Sequence, residues 1–138
     1  MVSLARFHDA QERIYPTALA ELRAGRKRSH WMWFIFPQIA GLGRSQTARH
    51  YAIADLAEAK AYLSDPVLGA RLRACIAAVL SHRDRKAREI FATPDDMKFR
   101  SCLTLFEAAD PSEPLFGEAL AVFYEAARDA RTIDLLAG

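Results

Sequence analysis

The chain has 138 residues, enough for one ordinary domain with a core of its own. Hydrophobic residues make up 51% and charged residues 26%, which excludes a disordered polar chain, and two cysteines without paired spacing argue against a disulfide scaffold. With 19 Lys and Arg against 17 Asp and Glu, the formal net charge of +2 neither indicates nor forbids nucleic acid.

The opening MVSLARFHDAQERIYP carries charge throughout, and no apolar run reaches the ~18 residues of a membrane span. A soluble, cytoplasmic protein without a membrane partner is expected. Phe7, Gln11, Ile14, Ala18, Leu19 and Leu22 recur near helical spacing, so a first helix is predicted up to Gly25. Pro16 either kinks it or opens its second half. HWMWFIF at 30–36 is too apolar to show a face and reads as a short buried helix or a strand, with helical neighbours favouring helix. Ser45 is placed to cap a short helix through about Tyr51, and Asp55 with Glu58 forms a capping-box-like start for another.

Asp65-Pro66 opens the clearest helix, whose stripe is Leu68, Leu72, Cys75, Ile76, Val79 and Leu80, ending near Ser81-His82. Residues 86–91 read as a short helix. In Thr93-Pro94-Asp95-Asp96 the threonine is expected to cap, and the two acids to complement the dipole, of a helix carrying Met97, Cys102, Leu103, Leu105 and Phe106. After a loop at 110–114, Phe116, Ala119, Leu120, Phe123 and Ala127 form the last stripe, followed by a short terminal turn at 131–136. Alanine is abundant, β-branched alternation is scarce, and strands do not alternate with helices. The expectation is an all-α fold: one compact multihelical domain over residues 1–138, with about six or seven helices.

GRKRSHWMWFIFPQIAGLGRS at 25–45, YAI at 51–53, YLSDPVLGARL at 62–72 and IFATPDDMKFRSCLTLF at 90–106 occur in an order that resembles the bacterial domain-of-unknown-function family 1810. Some members of that family are labelled calpastatin. The resemblance runs from about Phe7 to Leu135 and implies a compact, mainly helical domain. It implies no established activity, cofactor or catalytic residue. The calpastatin label conflicts with composition, because calpain-inhibitor repeats are polar and disordered. One departure is Ala92, where the resemblance implies glycine in the turn before Thr93.

The stretch 25–45 is the candidate functional surface. Cations come first (Arg26, Lys27, Arg28, His30), then Trp31 to Phe36, a Pro-Gln, and Gly41-Leu42-Gly43-Arg44-Ser45. Glycines admit close backbone approach, and a helix start offers free amides to an anion. The string lacks the third glycine of GxGxxG, follows no clear strand and has no GK[ST], so a tight turn with an ordinary cap competes with an anion site. Trp33 and Phe36 share a helical face while Trp31 lies apart, so one tryptophan is expected in the core and the other beside a pocket.

The candidate binding residues are Arg26, Arg28, His30, Trp31, Gln38, Gly41, Gly43, Arg44, Ser45 and Lys98. Arg44 and the Ser45 amide would hold the anion, Trp31 would stack, and Gln38 would read polar edges. Arg26, Arg28 and Lys98 would supply outer charge. For this the segment must fold back, bringing Arg44 beside His30 and Trp31. The expected ligand is a phosphate-bearing small molecule such as a nucleotide or nucleotide sugar; the competing class is a non-enzymatic protein-interaction module. The histidines are scattered and no acid completes a metal set, so no metal and no cofactor is expected. A His30–Cys102 catalytic pair is disfavoured, because Cys102 falls on a core-facing position. Catalytic residues remain unknown.

Overall fold

The computed structural model describes residues 3–138. Nine helices lie among them: α1 Ala5–Arg23, α2 Met32–Ile35, α3 Gln46–His50, α4 Leu56–Ser64, α5 Leu68–Leu80, α6 Ala87–Phe91, α7 Asp95–Ala109, α8 Pro114–Tyr124 and α9 Ala130–Ala137. The all-helical expectation holds, but six or seven helices was too few. The one-turn segments α2, α3 and α6 each form a separate element, and the expected terminal turn is the eight-residue α9. Asp129 makes that helix possible, its Oδ2 accepting from the Thr132 amide at 3.1 Å. Among the described residues the only sheet-like pairing is a parallel bridge between Ile39 and Ile53.

Local starts follow the sequence closely. Ser45 Oγ accepts from the Ala48 amide at 3.1 Å, and Asp55 Oδ1 from the Glu58 amide at 2.9 Å. Asp65 Oδ1 accepts from the amides of Val67 and Leu68, each at 2.9 Å, but α5 starts at Leu68 rather than at Pro66, because Asp65 still closes α4 and the turn between the two helices takes up Pro66 and Val67. Thr93 does not cap α7: the residue before that helix is Pro94, and no side chain caps the first turn. Pro16 lies inside a continuous α1.

Helix α5 packs on α1, α4 and α8, while α7 packs on α4, α6, α8 and α9, so these two helices organise the core. Phe7, Trp31, Phe36, Tyr62, Phe99, Phe106 and Phe116 are all fully buried. Phe36 meets Phe99 edge-on at 4.8 Å and Phe7 meets Tyr62 at 5.1 Å, a geometry worth about 0.5–1.5 kcal/mol per pair beyond area. Every member of the α5 stripe is buried. The α7 stripe is shifted: Phe99 faces the core and Met97 is 53% exposed. Ile14 is also exposed, and Ala127 lies beyond α8, which ends where Glu125 and Ala126 turn left-handed at φ 54° and 65°.

A buried glutamine joins four helices. Gln11 of α1 donates from Nε2 to the Phe34 carbonyl of α2 at 2.7 Å and to the Tyr62 hydroxyl of α4 at 2.9 Å. Its Oε1 accepts from Arg71 of α5 at 3.5 Å. Sequence spacing placed Gln11 in an apolar stripe. The structure makes it a core polar group with its bonding capacity used, which is the condition for burying an amide.

Candidate functional site

The cationic lead-in to the aromatic block is held by two carboxylates. Glu21, near the end of α1, accepts from the Arg28 amide at 2.8 Å, the Ser29 amide at 2.9 Å, Ser29 Oγ at 2.6 Å and Trp31 Nε1 at 3.0 Å. Desolvation alone would raise its pKa. The four donors outweigh it and hold the carboxyl at about 2. Asp95, at the start of α7, pairs with Lys27 at 2.9 Å and Lys98 at 3.4 Å. Lys27 then lies over the Trp31 ring at 5.1 Å, and Lys98 over the Trp33 ring at 5.3 Å.

These contacts separate the residues expected to form one site. Trp31 is fully buried, and a buried ring has no face to offer a ligand; the partly exposed tryptophan is Trp33. The Gly-Leu-Gly turn folds back, and it meets Trp33. Trp33, Gln38, Ile39, Gly43, Ala48, Tyr51 and Ala52 line a narrow space of about 10 Å³, room for a single water at most. Backbone bonds fix that return, from the Ile53 amide to the Gln38 carbonyl and from the Ala40 amide to the Ile53 carbonyl, each at 2.8 Å.

The glycines have structural reasons here. Gly41 sits at φ 103°, and its carbonyl accepts from Arg131 at 3.4 Å. A Cβ on Gly43 would stand 2.5 Å from the Ala48 Cβ. Ser45 Oγ is engaged as a cap of a five-residue helix, while Arg44 and His30 are exposed.

Arg26 and Arg28 belong to a different place. Arg26, Lys27, Arg85 and Arg88 surround a concavity of about 360 Å³, floored by Ile90, Phe91 and Ala92, with Glu89 as the acid on its wall. Arg28 joins Arg26 and Lys27 in an adjoining open depression. The bay exists because two distant segments meet. The Lys27 amide donates to the Ile90 carbonyl at 2.7 Å, Arg85 Nη1 to the Gly25 carbonyl at 3.1 Å, and His82 Nε2 lies 2.9 Å from the Arg23 carbonyl.

The charge of these segments is lopsided. Residues 23–30 and 82–91 hold eight of the 19 Lys and Arg but two of the 17 Asp and Glu, a local excess of six; the rest of the chain, with eleven basic and fifteen acidic residues, is acidic by four. Lys27 pairs with Asp95 and Arg83 with Glu118, while Arg26, Arg28, Lys86 and Arg88 have no ion-pair partner among the described residues. Glu89 is turned to its own helix start, accepting from the Lys86 amide at 2.8 Å. Sequence reasoning named Lys27 in the cationic lead-in without placing it among the binding residues, and it missed Arg85 and Arg88. The run SHRDRKAREIF at 81–91 was the available signal. The sequence shows only a short helix there, and contact with 23–30 turns it into a wall.

The side chains around the bay are three arginines, Lys27 and Glu89, with Ile90, Phe91 and Ala92. The thiols lie elsewhere. Burial pushes Cys75 up to about 12 and Cys102 well above its ordinary value, which removes both as nucleophiles at neutral pH. Among the described residues no group of three His, Cys, Asp or Glu gathers to hold a metal, and no helix is long and apolar enough to cross a membrane.

Among the described residues, the fold and bay define an all-helical protein with a strongly cationic concavity. The chain belongs to the family described as "Protein of unknown function (DUF1810)", whose model matches residues 1–136. It is similar to the conserved hypothetical protein Rv1873 from Mycobacterium tuberculosis, known from a crystal structure: identity is 47% over 98% of this chain and 96% of that one, with a TM-score of 0.96. No curated protein matches it.

Proposed function

We propose that this is an intracellular binding protein for a small phosphate-bearing ligand, held in the bay of Arg26, Lys27, Arg85 and Arg88. The supporting observation is the meeting of segments 23–30 and 82–91 around one concavity, with Arg26 and Arg88 left without carboxylate partners. Unpaired guanidinium groups beside a cavity are poised for charge-assisted, bidentate contact with phosphate oxygens. The volume lies within the roughly 300–1,000 Å³ of small-molecule sites. Two unpaired buried thiols suit a reducing compartment.

The protein-interaction alternative would be favoured by one contiguous apolar patch. The exposed large apolar side chains Ile14, Val67, Met97, Ile133 and Leu135 are instead divided among α1, the start of α5, α7 and α9.

Calorimetric titration with inorganic tripolyphosphate tests the reading. Binding should weaken as salt rises and fall by about tenfold or more in the Arg26→Ala/Arg88→Ala double variant, at unchanged melting temperature. Absence of binding at low salt, or equal binding by the folded double variant, rejects it.

A further inference from the structure

Helix α6 has a second concavity on its other side. Arg85 and Arg88, which line the bay, also line a groove of about 410 Å³ whose far wall is Met97, Val122, Phe123 and Tyr124. The two spaces differ in kind: the first is ringed by guanidinium groups, and the second adds a thioether, a valine and two aromatic rings to the charged Lys86, Asp96 and Glu125. Met97 stands 53% exposed at the mouth, although the α7 pattern would have placed it in the core. The Tyr124 hydroxyl donates to the Asp96 carbonyl, which ties the end of α8 to the start of α7 and so fixes the width of the groove.

Among the described residues, helix α7 also carries a buried acceptor and a buried donor without partners. Asp96 lines the groove, and Asp96 Oδ1 is buried without a hydrogen-bond partner among the described residues. Arg100, one turn further along α7, carries the matching orphan: its Nε is buried without a partner among the described residues, while its Nη2 donates to the Arg128 carbonyl at 3.0 Å.

We propose that the ligand is a nucleoside phosphate lying across the Arg85–Arg88 ridge, with its phosphates in the bay and its base in the Met97–Phe123 groove. This rests on the bay reading and adds the ring. It also moves base recognition away from the tryptophans. Trp31 is sealed in the core, and the space beside Trp33 is too small for a base. Arginine suits the ridge because its planar guanidinium both forks onto phosphate and packs flat on a ring.

The test compares ATP with tripolyphosphate on the full chain, in the wild type and in Met97→Ala, whose exposed side chain can be trimmed without opening the core. The wild type should bind ATP about tenfold or more tighter than tripolyphosphate, and Met97→Ala should weaken ATP several-fold while leaving tripolyphosphate unchanged. Circular dichroism melts confirm that the variant is folded. Equal affinity for the two ligands, or equal loss of both in the variant, overturns the ring site and leaves the bay reading standing. If the wild type binds neither, both fall.

Discussion

The aromatic segment 31–36 and the basic arm 82–92 differ in how much of their chemistry stays free after folding. In the first, Trp31 donates its indole N–H to Glu21, Phe36 packs on Phe91 and Phe99, and Phe34 gives its carbonyl to Gln11. Apart from the partly exposed Trp33, its ring faces are used inside the molecule. In the second, Ile90 and Phe91 anchor α6 in the core, while Lys86 and Arg88 remain exposed without ion-pair partners. A segment rich in chemistry-bearing residues is thus structural, and a plain charged helix holds the residues available to a ligand. Burial consumes side-chain function, and composition does not report burial.

Substitutions can break this contrast. The largest effect should come from Trp31→Ala, a loss of about 3–5 kcal/mol in urea unfolding, because it opens a cavity and leaves Glu21 short of a donor. A loss near zero would mean that Trp31 is not a core residue and would restore it as a stacking platform. Glu21→Gln should cost about 1–3 kcal/mol by unpairing donors that need a charged acceptor.

The same residue predicts a pH dependence. The folded-state pKa of Glu21 is depressed to about 2 from its ordinary 4.5, so its contribution is present above 4.5 and is lost as pH falls through about 2. Glu21→Gln should flatten that part of the stability–pH curve. A variant with the full acid slope of the wild type would remove Glu21 as its origin.

Two smaller changes sharpen the comparison at the turns. Gly43→Ala should lower stability by about 1–3 kcal/mol, since its Cβ would overlap the Ala48 Cβ at 2.5 Å. A neutral effect in thermal melts would show that the turn has room and revive close ligand approach as the reason for the glycine. Ala92 lies on the wall of the bay at φ 62° and ψ 168°, a region that favours glycine. Ala92→Gly should therefore stabilise by about 1 kcal/mol, and a destabilised variant would count against backbone strain at the bay wall. The smallest effect belongs to Arg88→Ala, within about 0.5 kcal/mol of the wild type, as expected of an exposed side chain without a partner. A loss of 2 kcal/mol or so would make it a structural arginine like Arg85, whose guanidinium holds the Gly25 carbonyl.

The sequence by itself determined the helical class, the α5 stripe and the caps at Ser45 and Asp55, because each depends on residues within one or two turns of each other. It also set the burial of both cysteines, which fall on stripes. Ala92, where the resemblance implied glycine, proved to be a positive-φ position, since backbone conformation is a local property. The tertiary structure alone decided which tryptophan is sealed, that Met97 faces out while Phe99 faces in, and that Thr93 caps nothing. It alone decided the candidate site as well. Arg26 and Arg88 are 62 positions apart in the chain, and they line one cavity only because the Lys27 amide reaches the Ile90 carbonyl. That contact is long-range, set by the packing of α6 on α7 and by Glu21 and Asp95 holding the lead-in, and neither periodicity nor local charge encodes it.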